Sequence, residues 1–173
     1  MRQRVLSAAV VAAVAVWGAG TAQAGKVEIT GAHICCPKCV AAITDILKNV
    51  DGVSHAAAKP KGVISFTTTD DKATTAAVTA LLDGGFIGAA TDDGKEVKPE
   101  LTSPKAGDKA DSVTVTNTHV CCPRCQAAIK GTLPADAKAE FPDKTTVKIT
   151  GKDLDKAEIL ESLRKAGFNG KVE

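Results

Sequence analysis

The sequence predicts an α+β protein made of two tandem β-α-β-β-α-β units, and three observations predict it. A seven-residue block, His33-Ile34-Cys35-Cys36-Pro37-Lys38-Cys39, returns 86 positions later as His119-Val120-Cys121-Cys122-Pro123-Arg124-Cys125. In both copies the hydrophobic period alternates between the two-residue spacing of strands and the spacing of helices, in the same order. All six cysteines fall inside the two blocks, three in each. Self-similarity of this kind marks a duplicated structural unit.

The repeat extends beyond the block. Val27 and Ile29 correspond to Val113 and Val115, and Ala41-Ala42-Ile43 to Ala127-Ala128-Ile129. Gly85-Phe86 corresponds to Gly167-Phe168, where the offset slips to 82 because the second copy has shorter turns. In the first copy Val27 and Ile29 alternate with polar residues, as in a half-buried strand. The cysteine loop follows. Cys39, Ile43, Ile46, Leu47 and Val50 then recur at helical spacing, and Asp51-Gly52 stops that helix. Residues 53–58 and 63–67 make two strands around the Lys59-Pro60-Lys61-Gly62 turn. A second helix starts at an Asp70 N-cap, carries Ala77, Val78, Leu81 and Leu82 inward, and ends at Gly84-Gly85. A short strand follows Phe86.

The second copy places strands at residues 113–116, 137–141 and 145–149, and Pro134 cuts its first helix short. In its second helix Asp155 and Glu158 suit a capping box, while Ile159, Leu160 and Leu163 face inward. Arg164 and Lys165 complement the C-terminal dipole, and Gly167 closes the helix. Between the copies, residues 94–111 are rich in Lys, Asp, Pro and Gly and lack apolar periodicity. They read as a flexible linker that leaves few contacts to couple residues 25–93 to residues 112–173.

Residues 1–24 read as a signal peptide. Arg2 and Arg4 precede an Ala/Val-rich apolar run, and Ala22-Gln23-Ala24 supplies the small-x-small cleavage pattern. The run is shorter than the roughly 20 apolar residues that span a bilayer, so the mature protein is expected not to span the membrane and to be periplasmic or secreted. The formal balance of 22 Lys and Arg against 20 Asp and Glu falls to 20 against 20 once Arg2 and Arg4 leave. The only Met and the only Trp leave as well, and the chain has no Tyr. Thioether ligation is excluded from the mature chain, and without a basic stripe or stacking aromatics there is no case for nucleic-acid binding.

Disulfides that stabilise exported proteins close long loops. Two tight cysteine clusters close almost nothing, and so read as sites. A Cys-x-x-Cys at a helix start puts two sulfurs on one turn. There the free N–H groups and the dipole favour thiolate, as would Lys38 or Arg124. Pro37 and Pro123 fit the first helical turn, where the missing N–H costs nothing. Thiolates select soft ions: Cu(I), Hg(II), Cd(II) and borderline Zn(II). The ligand pairs are Cys36 with Cys39 and Cys122 with Cys125. Cys35 and Cys121 are candidates for a third sulfur, and His33 and His119 for additional donors that would shift preference toward zinc. His55 has no counterpart in the second copy and reads as an ordinary strand residue. Phe86 and Phe168 read as packing residues that shield the site.

These residues resemble the heavy-metal-associated domain, the family of copper chaperones, of the N-terminal modules of metal-pumping P-type ATPases and of the periplasmic mercury-binding protein. The family motif is Gly-Met-Thr-Cys-x-x-Cys. Here His33, Ile34 and Cys35 stand for its first three residues, and Cys36-Pro37-Lys38-Cys39 for its metal-binding run. His119, Val120, Cys121 and Cys122-Pro123-Arg124-Cys125 align likewise. The resemblance covers nearly all of the chain after the signal apart from the linker. It implies two ferredoxin-like domains, each an antiparallel sheet with two helices on one face, and one ion per domain. Replacing the family's Gly by His and its Thr by Cys, in both copies, departs from a linear two-thiolate geometry.

The function expected is therefore that of a non-enzymatic soft-metal carrier, chaperone or scavenger, with Cu(I) ahead of Hg(II) and Zn(II). Its partner would be a thiolate-bearing protein such as a membrane metal transporter. The alternative is a periplasmic thiol–disulfide oxidoreductase using the Cys-Pro-x-Cys motifs. A third reading is an adaptor with permanently bridged cysteines.

Overall fold

A computed structural model describes residues 25–173, so the signal segment expected at residues 1–24 lies outside the described residues. The described residues form a mixed α+β structure with four helices and two antiparallel sheets. In the first repeat, β1 (Gly25–Thr30), β2 (Val53–Lys59), β3 (Val63–Thr68), β4 (Ala89–Asp92) and β5 (Lys95–Val97) form a sheet in the order β2-β3-β1-β4-β5. Helix α1 (Pro37–Leu47) links β1 to β2, and α2 (Asp71–Asp83) links β3 to β4. In the second, β6 (Lys109–Thr116), β7 (Lys138–Glu140), β8 (Val147–Asp155) and β9 (Lys171–Val172) pair in the order β7-β8-β6-β9. There α3 (Pro123–Lys130) follows β6 and α4 (Lys156–Lys165) follows β8.

The periodicities explain these elements. Val27 and Ile29 of β1 are buried while Lys26 and Glu28 are exposed, and they face Phe66 and Ile64 of β3 in antiparallel register. In α1, Cys39, Ile43 and Leu47 form a fully buried stripe at i, i+4, i+8, each aliphatic side chain contributing about 1.5–3 kcal/mol by leaving water. The Asp70 carboxylate accepts the Ala73 N–H at 2.8 Å and starts α2, and Asp155 accepts the N–H groups of Ala157 and Glu158 at the head of α4. Helix α3 ends at Lys130 with Gly131 as its cap, ahead of Pro134. His55 is an exposed residue of β2 at a register shift, with φ of 53°.

Two expectations about the middle of the chain need correction. Residues 94–111 are structured over much of their length. Asp93 and Gly94 both have positive φ and join β4 to β5 as a two-residue hairpin loop, with Asp92 opposite Lys95. Asp-Gly is a strong hairpin signal, and the polar composition around it masked it. At the other end, Lys109 and Ala110 pair with Asp155 and Leu154, so β6 starts earlier and β8 runs farther than residues 145–149. Between them, the Arg164 guanidinium donates to Ser103 Oγ and to the Thr102 carbonyl, both at 2.7 Å.

Nor are the halves uncoupled. Phe86 and Phe168 form an antiparallel bridge between the repeats. The His33 and Ile87 N–H groups donate to the Gly167 carbonyl at 3.1 and 3.4 Å, and the Asn169 N–H donates to the Gly85 carbonyl at 3.0 Å. A single buried apolar cluster runs through both repeats. Among the described residues, no helix is long and apolar enough to cross a membrane.

Candidate metal centre

Each cysteine loop leaves the end of one strand and enters a helix. Cys36 and Cys122 are the N-caps of α1 and α3, both extended, and Pro37 and Pro123 take the first helical position. Cys39 and Cys125, one turn inside, are fully buried, while the other four cysteines are half-buried and all six are free thiols.

The inter-repeat bridge sets the two loops face to face, and all six sulfurs meet. Within each pair, Cys36 and Cys39 are 3.8 Å apart, as are Cys122 and Cys125. Across the repeats, Cys35 lies 3.5 Å from Cys122 and 3.5 Å from Cys125. The mirror contacts hold: Cys121 lies 3.5 Å from Cys36 and 3.5 Å from Cys39. Cys35 to Cys39 and Cys121 to Cys125 are each 3.8 Å. The two pairs expected from the sequence, Cys36 with Cys39 and Cys122 with Cys125, thus lie side by side in one cluster of six sulfurs.

Its protonation is split. The Cys39 N–H directed at its sulfur, the Cys121 thiol and the Lys38 N–H hold Cys36 below the ordinary thiol range, against a smaller cost of burial. Burial pushes Cys122 up, but the N–H groups of Cys125 and Arg124 and the Cys35 thiol outweigh it and bring it to about 6. Cys35 is pushed far up by burial and by donating to Cys122 and Cys125. Burial and donation to Cys36 and Cys39 do the same to Cys121. Burial also raises Cys125. Each N-cap cysteine, held below the ordinary thiol range, thus faces the opposite repeat's leading cysteine, held above it.

The histidines frame it. His33 stacks on Phe168 with ring centroids 4.3 Å apart, and His119 packs on Phe86 at 4.5 Å, each on the other repeat's aromatic ring. Burial lowers both imidazole pKa values, and the neighbouring His33 adds to the effect on His119. Both are thus held neutral, as ligation requires. Their Nε2 atoms are buried without a hydrogen-bond partner, and His33 lies within 4.8 Å of the Cys35 and Cys125 sulfurs. A buried polar atom left unpaired costs about 1–3 kcal/mol, so these rings have donor capacity to give.

Several contacts that build this region were not visible in the sequence. The Arg124 guanidinium donates to the Cys35 carbonyl of the other repeat at 3.2 Å. Asn169 is buried, donating from Nδ2 to the Leu82 carbonyl and accepting from Arg164 Nε, both at 3.0 Å. A polar residue directly after Gly167-Phe168, where the first copy has Ile87, was the available signal. Gly85 and Gly167 read only as helix ends, yet they are also where the repeats touch. A Cβ on Gly85 would lie 2.3 Å from the His119 nitrogen, and one on Gly167 would lie 2.4 Å from the Gly31 oxygen.

Cysteine groups drawn from both repeats, one of them including His33, are close enough to hold a metal ion, as is Cys121 with Cys122 and Cys125 within the second repeat. With metal–sulfur bonds of about 2.3 Å, sulfurs stand about 3.8 Å apart in a tetrahedral set, about 4.0 Å in a trigonal one and about 4.6 Å in a linear one. Separations of 3.5–3.8 Å lie nearest the first, a few tenths of an ångström short of the second and well short of the third. The fold and site define an α+β protein with a cysteine and histidine cluster that could hold a metal ion. No model of a known protein family matches the chain, and no curated protein does so either.

Proposed function

We propose that the protein is an exported, non-enzymatic carrier or scavenger of soft metal ions, built from two heavy-metal-associated domains of ferredoxin-like fold. One ion is held at each Cys-x-x-Cys pair, and Cu(I) is the preferred cargo ahead of Hg(II) and Zn(II). The observation that carries this reading is the convergence of six free thiols within contact distance. Thiols packed at this density are chosen by a soft cation, and their separations suit three- or four-coordinate binding better than linear Hg(II).

Further observations support its parts. The strand orders β2-β3-β1-β4, with β5 added at the edge, and β7-β8-β6-β9, each threaded by two helices, agree with a ferredoxin-like βαββαβ unit. The half-buried Cys36 and Cys122 face incoming ions, and the buried Cys39 and Cys125 retain them. Release to a thiolate-bearing partner, such as a membrane transporter, would proceed by ligand exchange through the same half-buried sulfurs.

Metal analysis of protein purified reduced and without oxygen tests the reading, with Cu(I) titrated against a chelator of known affinity. Tight stoichiometric Cu(I) retention with negligible turnover in insulin reduction is expected. Robust catalytic disulfide exchange with weak Cu(I) binding would instead assign the thiol–disulfide oxidoreductase function.

A further inference from the structure

The leading cysteines Cys35 and Cys121 do not serve their own loops best. Cys35 lies 3.5 Å from both sulfurs of the opposite pair, Cys122 and Cys125, which are themselves 3.8 Å apart. Cys121 stands in the same relation to Cys36 and Cys39. Each therefore closes a nearly equilateral triangle of sulfurs with the other repeat. Its contact inside its own repeat, to Cys39 or Cys125, is longer, at 3.8 Å.

We propose that the cargo is held in two interleaved three-thiolate sites, one of Cys36, Cys39 and Cys121 and the other of Cys122, Cys125 and Cys35, each completed by the opposite repeat. The inference rests on the soft-metal reading above and assigns its ligands. The triangle edges of 3.5–3.8 Å need to open by only a few tenths of an ångström to reach the roughly 4.0 Å of a trigonal set. The Arg124 bond to the Cys35 carbonyl, and the His33 and His119 rings stacked on Phe168 and Phe86, hold the leading cysteines over the foreign pair. Each ion is bonded to both repeats, so loading ties them together, because an ion that binds only the closed arrangement stabilises it by mass action.

The test removes one pair and asks which leading cysteine serves the other. In the full-length protein carrying Cys36→Ser and Cys39→Ser, the site at Cys122 and Cys125 should bind one Cu(I) with three sulfurs by X-ray absorption. Adding Cys35→Ser should lower the count to two, whereas adding Cys121→Ser should leave it at three. Loss of sulfur on Cys121→Ser, or no loss on Cys35→Ser, overturns the crossed assignment. Wild-type protein that binds no Cu(I) would sink the soft-metal reading itself, whereas wild-type protein that binds two ions with the reversed variant pattern sinks only the crossing. A second measurement uses no metal. A chain keeping only Cys36 and Cys121, shown to be folded by circular dichroism, should form an intramolecular disulfide with diamide and so resist alkylation. A folded chain that stays fully alkylatable shows the loops apart and overturns the proposal.

Discussion

Gly167→Ala isolates the contact on which the thiol cluster depends. Gly167 has φ of 83°, and a Cβ there would stand 2.4 Å from both the Gly31 oxygen and the His33 nitrogen of the other repeat. Gly94 has φ of 79° and open space around its missing Cβ. Both substitutions carry the left-handed penalty of about 1–2 kcal/mol for a residue with a side chain. Only Gly167→Ala also drives two backbones apart, by about 1 Å to restore ordinary contact. That movement breaks the 3.1 Å bond from the His33 N–H to the Gly167 carbonyl, worth about 0.5–1.5 kcal/mol. It also loosens the stacking of His33 on Phe168, worth a similar amount. Gly167→Ala should therefore cost about 1–3 kcal/mol more than Gly94→Ala in urea unfolding of the reduced, metal-free protein. It should also weaken Cu(I) retention, which Gly94→Ala should leave unchanged. Equal losses of stability with equal Cu(I) affinity would refute the argument that the inter-repeat approach builds the site.

Other outcomes follow from single residues. Cys122, brought down to about 6 by its N–H and thiol donors, should show iodoacetamide labelling that is half-maximal near pH 6 in mass-mapped digests of the metal-free protein. Its thiolate is lost as the pH falls through that value, and a midpoint above 8 would contradict the assigned environment. Asp70→Ala removes the side chain that accepts the Ala73 N–H at the start of α2. It should cost about 1 kcal/mol by urea denaturation, with Cu(I) binding unchanged because the cap lies away from the sulfurs.

Most local structure was legible because its causes are local. The buried stripe of Cys39, Ile43 and Leu47, the Asp70 and Asp155 caps and the alternation of Val27 and Ile29 each act within a few residues, and all appear as expected. The Asp93-Gly94 hairpin is equally local, but it was hidden because composition was weighed over the long window 94–111 and the dipeptide was not. The early start of β6 had no such signal. Lys109 and Ala110 join the sheet because β8 continues past Gly151 to Leu154 and Asp155, and pairing with a partner more than 40 residues away leaves no mark on a polar stretch.

The crossing of the site was hidden for a different reason, which lies in the duplication itself. A motif read within one repeat assigns all three cysteines to that repeat, and nothing in His-x-Cys-Cys-Pro-x-Cys says which sulfur turns outward. Two copies of a surface that meets its own image form a pseudo-twofold interface, in which a residue of one copy meets a different residue of the other. The contacts obey that rule: Cys35 to Cys122 is matched by Cys121 to Cys36, and His33 on Phe168 by His119 on Phe86. The glycine before each phenylalanine lets the backbones close, the phenylalanine receives the opposite histidine, and the leading cysteine next to that histidine is carried across with it. An extra Cys and an extra His that look redundant within one loop are thus the parts that reach the other.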